Sequence, residues 1–146
     1  MRVIHAPSPN ETAALDTASL REAFLVEELF QPGKLTLVYT DLDRAIVGSV
    51  VPETAPLELD AGEELRAQHF CERREIGVMN FAGKGTVTVD GAVYELEKCD
   101  CLYIGRGSRE IWFASDDAAE PAEFYLISYP AHAAYPTTKA TPADAN

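Results

Sequence analysis

Long apolar runs and an excess of basic residues are both missing from this 146-residue sequence. Nowhere do about 18 apolar residues run together, and the N-terminus lacks the apolar segment of an export signal, so neither a membrane span nor a secretory leader is predicted. Twelve Lys and Arg residues stand against 24 Asp and Glu residues, which gives a formal net charge of −12. Because this charge has the wrong sign for contacting phosphates, nucleic acid and anionic membranes are excluded as expected partners.

Cysteine is also scarce, with three residues at Cys71, Cys99 and Cys101. An odd number without a spaced framework argues against a disulfide-stabilised secreted domain, and a cytoplasmic location is therefore predicted. No second cysteine pair stands at zinc-finger spacing, so Cys99 and Cys101 are predicted to be packing residues.

Length and composition indicate one folded domain. Hydrophobic residues make up 47% of the chain and charged residues 25%, close to ordinary globular usage. Residues 1–130 are predicted to form the domain. Residues 131–146 contain prolines and little periodicity, which is typical of a linker or C-terminal arm.

Sequence patterns predict one helix and nine short strands. Ser19 and Glu22 have the spacing of a capping box, and Leu20 and Phe24 lie four residues apart, so a helix is predicted over Thr17–Phe24. After it, short runs rich in Val, Ile, Leu, Tyr and Phe alternate with Pro, Gly and Asp, which predicts strands. The predicted strands are Leu25–Phe30, Leu35–Tyr39, Ala45–Val50, Gly77–Phe81, Thr86–Val89, Val93–Leu96, Cys101–Ile104, Ile111–Ala114 and Phe124–Tyr129.

The clearest local feature is an alternating run over Thr86–Leu96, interrupted by Asp90 and Gly91. An Asp-Gly pair readily supplies two positive φ angles, so a two-residue hairpin with a type I′ turn is predicted. Val87 and Val89 should then face the interior. Many short strands separated by turns favour an antiparallel sandwich or small barrel.

Three stretches in the middle of the chain resemble the central hairpin and following acidic turn of cupins. They are Gly83–Gly91, Tyr94–Leu96 and Asp100–Gly105. The fold class implied by this resemblance is all-β, a cupin-like jelly roll with one short N-terminal helix.

Nearly the whole chain also resembles one particular cupin family, the 5-dehydro-4-deoxy-D-glucuronate isomerases. It resembles the N-terminal half of those proteins. The stretches that carry the resemblance are Leu15–Thr17, Leu20-Arg21, Phe24–Glu27, Asp43-Arg44, Ile46–Gly48, Glu72–Glu75, Thr86–Gly91, Pro130–His132 and Tyr135–Thr137. The resemblance implies interconversion of 5-dehydro-4-deoxy-D-glucuronate and 3-deoxy-D-glycero-2,5-hexodiulosonate in pectin and uronate breakdown. It also implies a second cupin half that holds zinc, and assembly into a hexamer.

The zinc ligands that the resemblance implies for the second half have only a degenerate counterpart here. In the run from His69 to Glu75, Cys71 stands where the second His of the motif would be, and Glu75 comes one residue early. The later His of the motif would fall near Glu110. A ligand set of His69, Cys71, Glu75 and Glu110 is chemically possible for zinc. Because the spacing is off the pattern, no metal and no catalytic residue are predicted in this chain.

A basic pair, Arg73 and Arg74, is the predicted substrate-binding feature. A guanidinium can hold a carboxylate bidentately, and a uronate supplies one. Adjacent strand residues point to opposite faces, so one arginine should face a pocket while the other pairs with a neighbour such as Glu72. Trp112 is predicted to lie in the core or in a subunit interface.

Three functional hypotheses follow from these patterns. In the first, the chain is the architectural N-terminal half of a uronate isomerase, with a uronate substrate, its own C-terminal half and further copies of itself as partners. In the second, it is a free-standing small cupin that binds a sugar acid or acts as an oligomeric module. In the third, it is an independent metalloenzyme that uses His69, Cys71, Glu75 and Glu110.

Overall fold

Two β-sheets enclose the core in the computed structural model, which describes residues 1–145. The larger sheet contains, in spatial order, β1 (Arg2–Ile4), β2 (Leu35–Thr40), β3 (Ile46–Val50), β10 (Phe124–Pro130), β5 (Arg74–Asn80), β8 (Cys101–Ile104) and β11 (Thr138–Ala140). The smaller sheet contains β4 (Leu57–Glu58), β9 (Ile111–Ser115), β6 (Gly85–Val89) and β7 (Ala92–Leu96). Apart from the parallel pair β1–β2, these strand pairs are antiparallel, as the short strands and turns predict.

One of the nine predicted strands is wrong, and the other eight overlap observed strands. The segment Leu25–Phe30 has strand-like composition but forms no strand. Glu28 has a φ of 54°, in the left-handed region, which interrupts an extended chain. Strand-forming composition also needs a neighbouring strand to pair with, which this segment does not have.

The N-terminal region contains two helices, α1 (Pro9–Thr12) and α2 (Thr17–Phe24). The helix predicted over Thr17–Phe24 is confirmed, but its N-cap is Asp16, whose carboxylate accepts a hydrogen bond from the backbone N–H of Ser19. Sequence reasoning missed α1. It had two signals in the sequence. Ser8 and Glu11 form a capping box, in which each side chain accepts a hydrogen bond from the other residue's backbone N–H, and Pro9 occupies the first helical position.

The predicted β6–β7 hairpin is confirmed. Asp90 and Gly91 have φ angles of 49° and 83°, as a type I′ turn requires. Val87 and Val89 are buried in the core, as predicted. Trp112, on the neighbouring β9, is 39% exposed, so its prediction as a core residue is wrong, while an interface role stays a prediction.

The C-terminal segment packs onto the domain through β11, which pairs with β8 at the edge of the larger sheet. Lys139 holds this strand further, because its Nζ lies 2.7 Å from the carboxylate of the buried Asp100. The predicted arm therefore contributes a seventh strand, and the domain boundary at residue 130 stays a prediction. Asn146 lies outside the described residues. No helix within residues 1–145 is long and apolar enough to span a membrane.

Candidate functional site

A cavity of about 310 Å³ lies at one end of the larger sheet. Tyr39 near the end of β2, Arg74 at the start of β5 and Pro130 at the end of β10 all line it. Antiparallel pairing brings these strand ends together, because β5 and β10 run past each other with Arg74 opposite Pro130. The cavity is the candidate site because it collects three arginines, Arg44, Arg73 and Arg74.

Arg74 points into the interior and is only 7% exposed. Strand alternation explains its orientation, since Ile76 and Val78 on the same strand are also buried. Its Nε donates a hydrogen bond to the Ser128 hydroxyl at 3.1 Å. Its Nη2 donates to the carbonyl oxygens of Arg44 at 2.6 Å and of Ser128 at 2.9 Å. Burial lowers the pKa of the Arg74 guanidinium, and an arginine remains protonated in proteins even so.

Arg73 borders the same cavity, so the prediction that only one of the two arginines faces a pocket is wrong. Strand alternation does not apply to Arg73, because it follows a short 3-10 turn over Phe70–Glu72 and precedes β5. One of its nitrogens donates to the carbonyls of Leu65 and Arg66, both at 3.0 Å. Its Nε lies 3.6 Å from a carboxylate oxygen of Glu72, the neighbour that the sequence suggested.

Arg44 is the cavity arginine that sequence reasoning missed. It lies in the loop between β2 and β3, where Asp43 and Arg44 have φ angles of 52° and 55°. They are the two central residues of the turn between β2 and β3, which the backbone N–H of Ala45 closes by donating to the carbonyl of Leu42 at 3.1 Å, so their φ angles are those of a type I′ hairpin turn. The only sequence signal was the Asp43-Arg44 pair itself, which is one of the stretches that carry the family resemblance.

The degenerate metal positions do not form a ligand set. Within residues 1–145, no three His, Cys, Asp or Glu side chains are placed to hold a metal ion. Glu75 alternates with the buried Arg74, points away from the interior and accepts a hydrogen bond from the Tyr103 hydroxyl at 2.7 Å. Cys71 is fully buried in the hydrophobic core, whereas Glu75 points away from it, so these two side chains are not directed at one point. His69, Cys71, Glu75 and Glu110 therefore do not fit a zinc site.

The three free thiols should differ sharply in reactivity. Cys71 is buried and its pKa is raised, while Cys99 is exposed, which makes the prediction of Cys99 as a packing residue wrong. Because only an accessible thiolate reacts, we expect an aromatic disulfide reagent at pH 8 to modify Cys99 quickly and Cys71 only after unfolding. Mass spectrometry of the labelled peptides checks this. Rapid labelling of Cys71 in the native protein would contradict the packing described above.

Comparison with known proteins identifies a family. Residues 24–146 match the model of the KduI/IolB family. A Lachnoclostridium phytofermentans protein named 4-deoxy-L-threo-5-hexosulose-uronate ketol-isomerase is 50% identical over 142 residues, which are 97% of this chain and 51% of that protein. An Escherichia coli O8 protein of the same name is 50% identical over 88% of this chain and 47% of its own length. The chain thus spans about half the length of these relatives.

The comparison with solved structures bears on the fold. The cupin domain of Schizosaccharomyces pombe Cnp3 superposes with a TM-score of 0.52 over 70% of this chain and 68% of that domain. At 14% sequence identity this similarity concerns the fold alone. Together with the two facing sheets, it confirms the cupin-like jelly roll.

Proposed function

Because the chain belongs to the KduI/IolB family, we propose that it is the N-terminal cupin half of a uronate ketol-isomerase. The observation that carries this proposal is the match of 97% of the chain, at 50% identity, to only 51% of a relative with that name. The proposed reaction of the whole protein interconverts 5-dehydro-4-deoxy-D-glucuronate and 3-deoxy-D-glycero-2,5-hexodiulosonate.

The proposed chemistry lies in the other half of the protein. Such an isomerisation needs a base for the proton α to the carbonyl and a group that stabilises the resulting oxyanion. Cys71 is a buried thiol with a raised pKa, and Glu75 faces away from the cavity, so neither is placed to act as that base. The residues here also do not fit zinc, which we therefore assign to the other half.

The proposed role of this half is architectural. Its partners are then its own C-terminal half and further copies in a homo-oligomer, a hexamer by family resemblance. Apolar side chains support such contacts, since Met79 and Tyr129 on the larger sheet are 37% and 42% exposed. The free thiols of Cys71, Cys99 and Cys101 favour the reducing cytoplasm as its location.

A second candidate function is a free-standing cupin that binds a sugar acid without catalysis. The observation that favours it is the arginine-lined cavity, because a binding protein needs a site but no base and no metal. It differs from the first proposal in requiring no second half for its activity.

Turnover measurements test the isomerase proposal. We expect the purified chain, supplied with zinc, to leave 5-dehydro-4-deoxy-D-glucuronate unchanged. Co-expression with the C-terminal half of the Lachnoclostridium phytofermentans relative is expected to restore turnover, with the intact relative as positive control. A cooperative unfolding transition shows that the chain alone is folded. Turnover by the chain alone would overturn the assignment of the chemistry to the other half, and an inactive co-expressed pair would count against the isomerase proposal.

A further inference from the structure

We propose that the outer face of the larger sheet, over β10, β5, β8 and β11, is the surface on which a second copy of this chain docks. The contact is isologous, so each copy contributes the same face. The proposal gives a surface to the homo-oligomer of the proposed architectural role and rests on that role, while it is independent of the isomerase reaction.

The outward-facing side chains of these strands are mostly apolar or aromatic. Alternation along the strands points them away from the core, which Ile76, Val78 and Leu126 face. An antiparallel sheet with one face in water normally carries polar residues on that face. Of the eight outward residues on β10, β5 and β8, only Glu75 is charged, and its carboxylate accepts a hydrogen bond from the Tyr103 hydroxyl at 2.7 Å. The eight residues are Tyr125, Ile127, Tyr129, Glu75, Gly77, Met79, Cys101 and Tyr103.

The other end of the same face is already covered by the chain itself. On β2 and β3, the outward-facing Val38 and Ser49 are 4% and 0% exposed. The Ser49 hydroxyl donates a hydrogen bond to the carbonyl of Leu29, in the segment that precedes β2. By contrast, Met79 on β5 and Tyr129 on β10 are 37% and 42% exposed. A contiguous apolar area of this kind marks a protein–protein contact.

Charge favours a second copy of this chain as the partner. The chain has a formal net charge of −12, so two copies repel each other and approach most readily where acidic groups are sparse. A basic partner would instead be attracted to acidic parts of the surface, such as the smaller sheet with Glu58 and Glu95. The nearly uncharged face therefore fits another nearly uncharged face, which an identical copy supplies.

The shape of the face also suits an identical copy. Gly77 lies between Ile127 on β10 and Tyr103 on β8, and its missing side chain leaves a depression of about 210 Å³. Tyr129, two residues beyond Ile127, presents an exposed ring next to this depression. A face that carries both a depression and a projecting ring is complementary to itself, as an isologous contact requires.

The area of the face predicts a weak dimer. Neighbouring strands lie about 4.8 Å apart and each residue adds about 3.4 Å, so the four strands present roughly 400 Å² in projection. Two such faces bury about 800 Å², and somewhat more once the relief of the side chains is counted, which is typical of weak, reversible complexes. We therefore expect a dissociation constant of about 10 μM.

Sedimentation velocity of the purified 146-residue chain tests the proposal. We expect monomer and dimer to exchange between about 1 and 200 μM protein. Added NaCl should favour the dimer, because salt screens the repulsion between two acidic copies. A chain that stays monomeric up to about 200 μM would overturn the proposal. A dimer that weakens with salt would also overturn it, since that result indicates an ionic contact elsewhere.

Charge-matched variants test the position of the contact. Met79→Lys places a charge within the face, and we expect it to weaken the dimer at least about thirtyfold. Tyr129→Ser removes only the projecting ring, and about tenfold weakening is expected. Val93→Lys is the matched control, because Val93 is 63% exposed on the smaller sheet, and it should leave the dimer unchanged. Cooperative unfolding shows that each variant is folded. Equal effects of Met79→Lys and Val93→Lys would overturn the assignment of the face.

Cys101 reports on the face directly. It lies opposite Met79 and lines the depression, whereas Cys99 is exposed in the turn before β8. We expect excess aromatic disulfide reagent to label Cys101 at least about fivefold more slowly at 200 μM protein than at 1 μM, with the Cys99 rate unchanged. Equal Cys101 rates at the two concentrations would place the contact elsewhere. Both measurements are independent of turnover, so their failure would overturn the docking surface and leave the isomerase reaction to its own test.

Discussion

Replacing Asn80 with alanine is expected to lower the free energy of unfolding by about 4 kcal/mol. Asn80 is fully buried at the end of β5. Its Oδ1 accepts hydrogen bonds from the backbone N–H groups of Ala82 at 3.3 Å and Glu123 at 3.2 Å. Its Nδ2 donates to the carbonyls of Gly83 at 2.7 Å and Leu96 at 3.1 Å. Alanine would leave these backbone groups without their partner, and each such loss costs about 1–3 kcal/mol where water cannot replace it.

Because of its position, Asn80 affects the stability of the whole domain and not only of β5. Leu96 belongs to the smaller sheet and Asn80 to the larger one, so the side chain joins the two sheets directly. Urea unfolding followed by circular dichroism measures the effect as a lower midpoint at an unchanged slope. Asn10→Ala is the matched control, because Asn10 is exposed in α1, and it should change stability by less than about 0.5 kcal/mol. An Asn80→Ala loss as small as that of the control would contradict this account.

Replacing Gly105 with alanine is expected to detach the C-terminal arm from β8. A Cβ atom at Gly105 would lie 1.9 Å from the backbone carbonyl oxygen of Tyr135, so one of the two segments must move. Gly105 follows a core strand, whereas the Tyr135 side chain is 59% exposed, and the arm is therefore the segment that yields. We expect a local cost of about 3 kcal/mol, which corresponds to roughly a hundredfold loss of amide protection in β11.

Hydrogen exchange distinguishes this local opening from general destabilisation. Amides of Thr138–Ala140 should lose protection, while those of the β5–β10 pair should keep theirs. Gly77→Ala is the matched control, because a Cβ there would meet Ile127 at 3.4 Å, an ordinary contact. Detachment would also uncover the edge of β8, so the variant should self-associate more readily. Full protection of the Thr138–Ala140 amides in the Gly105→Ala variant would show that the close approach of Gly105 to Tyr135 is not needed to keep β11 paired with β8.

Sequence reasoning succeeded where structure depends on neighbouring residues. The hairpin over Thr86–Leu96 was predictable, because alternation sets the buried face and Asp90-Gly91 tolerates the φ angles of the turn. The helix α2 was likewise predictable from its local pattern, although Asp16 replaces Ser19 as its cap. The strand predicted over Leu25–Phe30 failed because strand formation depends on a partner that composition does not reveal.

The candidate site was only partly predictable. Arg73 and Arg74 were identifiable as a basic pair within the run from His69 to Glu75, but strand alternation gave the wrong position for Arg73, which lies outside the strand. Arg44 could not be linked to them, because it is 30 residues away from Arg74 along the chain and meets it only through a backbone carbonyl. Three of the four degenerate metal positions, His69, Cys71 and Glu75, lie in one short run of sequence, yet Glu75 faces outward and Cys71 lies in the core.

The amino-acid sequence by itself determined the all-β class, the β6–β7 hairpin and the family, because these depend on local periodicity, turn chemistry and similarity along the chain. Only the tertiary structure decided that β11 covers the edge of β8, that Asn80 joins the two sheets and that three arginines share one cavity. The physical reason is distance along the chain. Each of these features unites segments that strand pairing brings together, and the hydrogen bonds and charges involved have no counterpart in any short stretch of sequence.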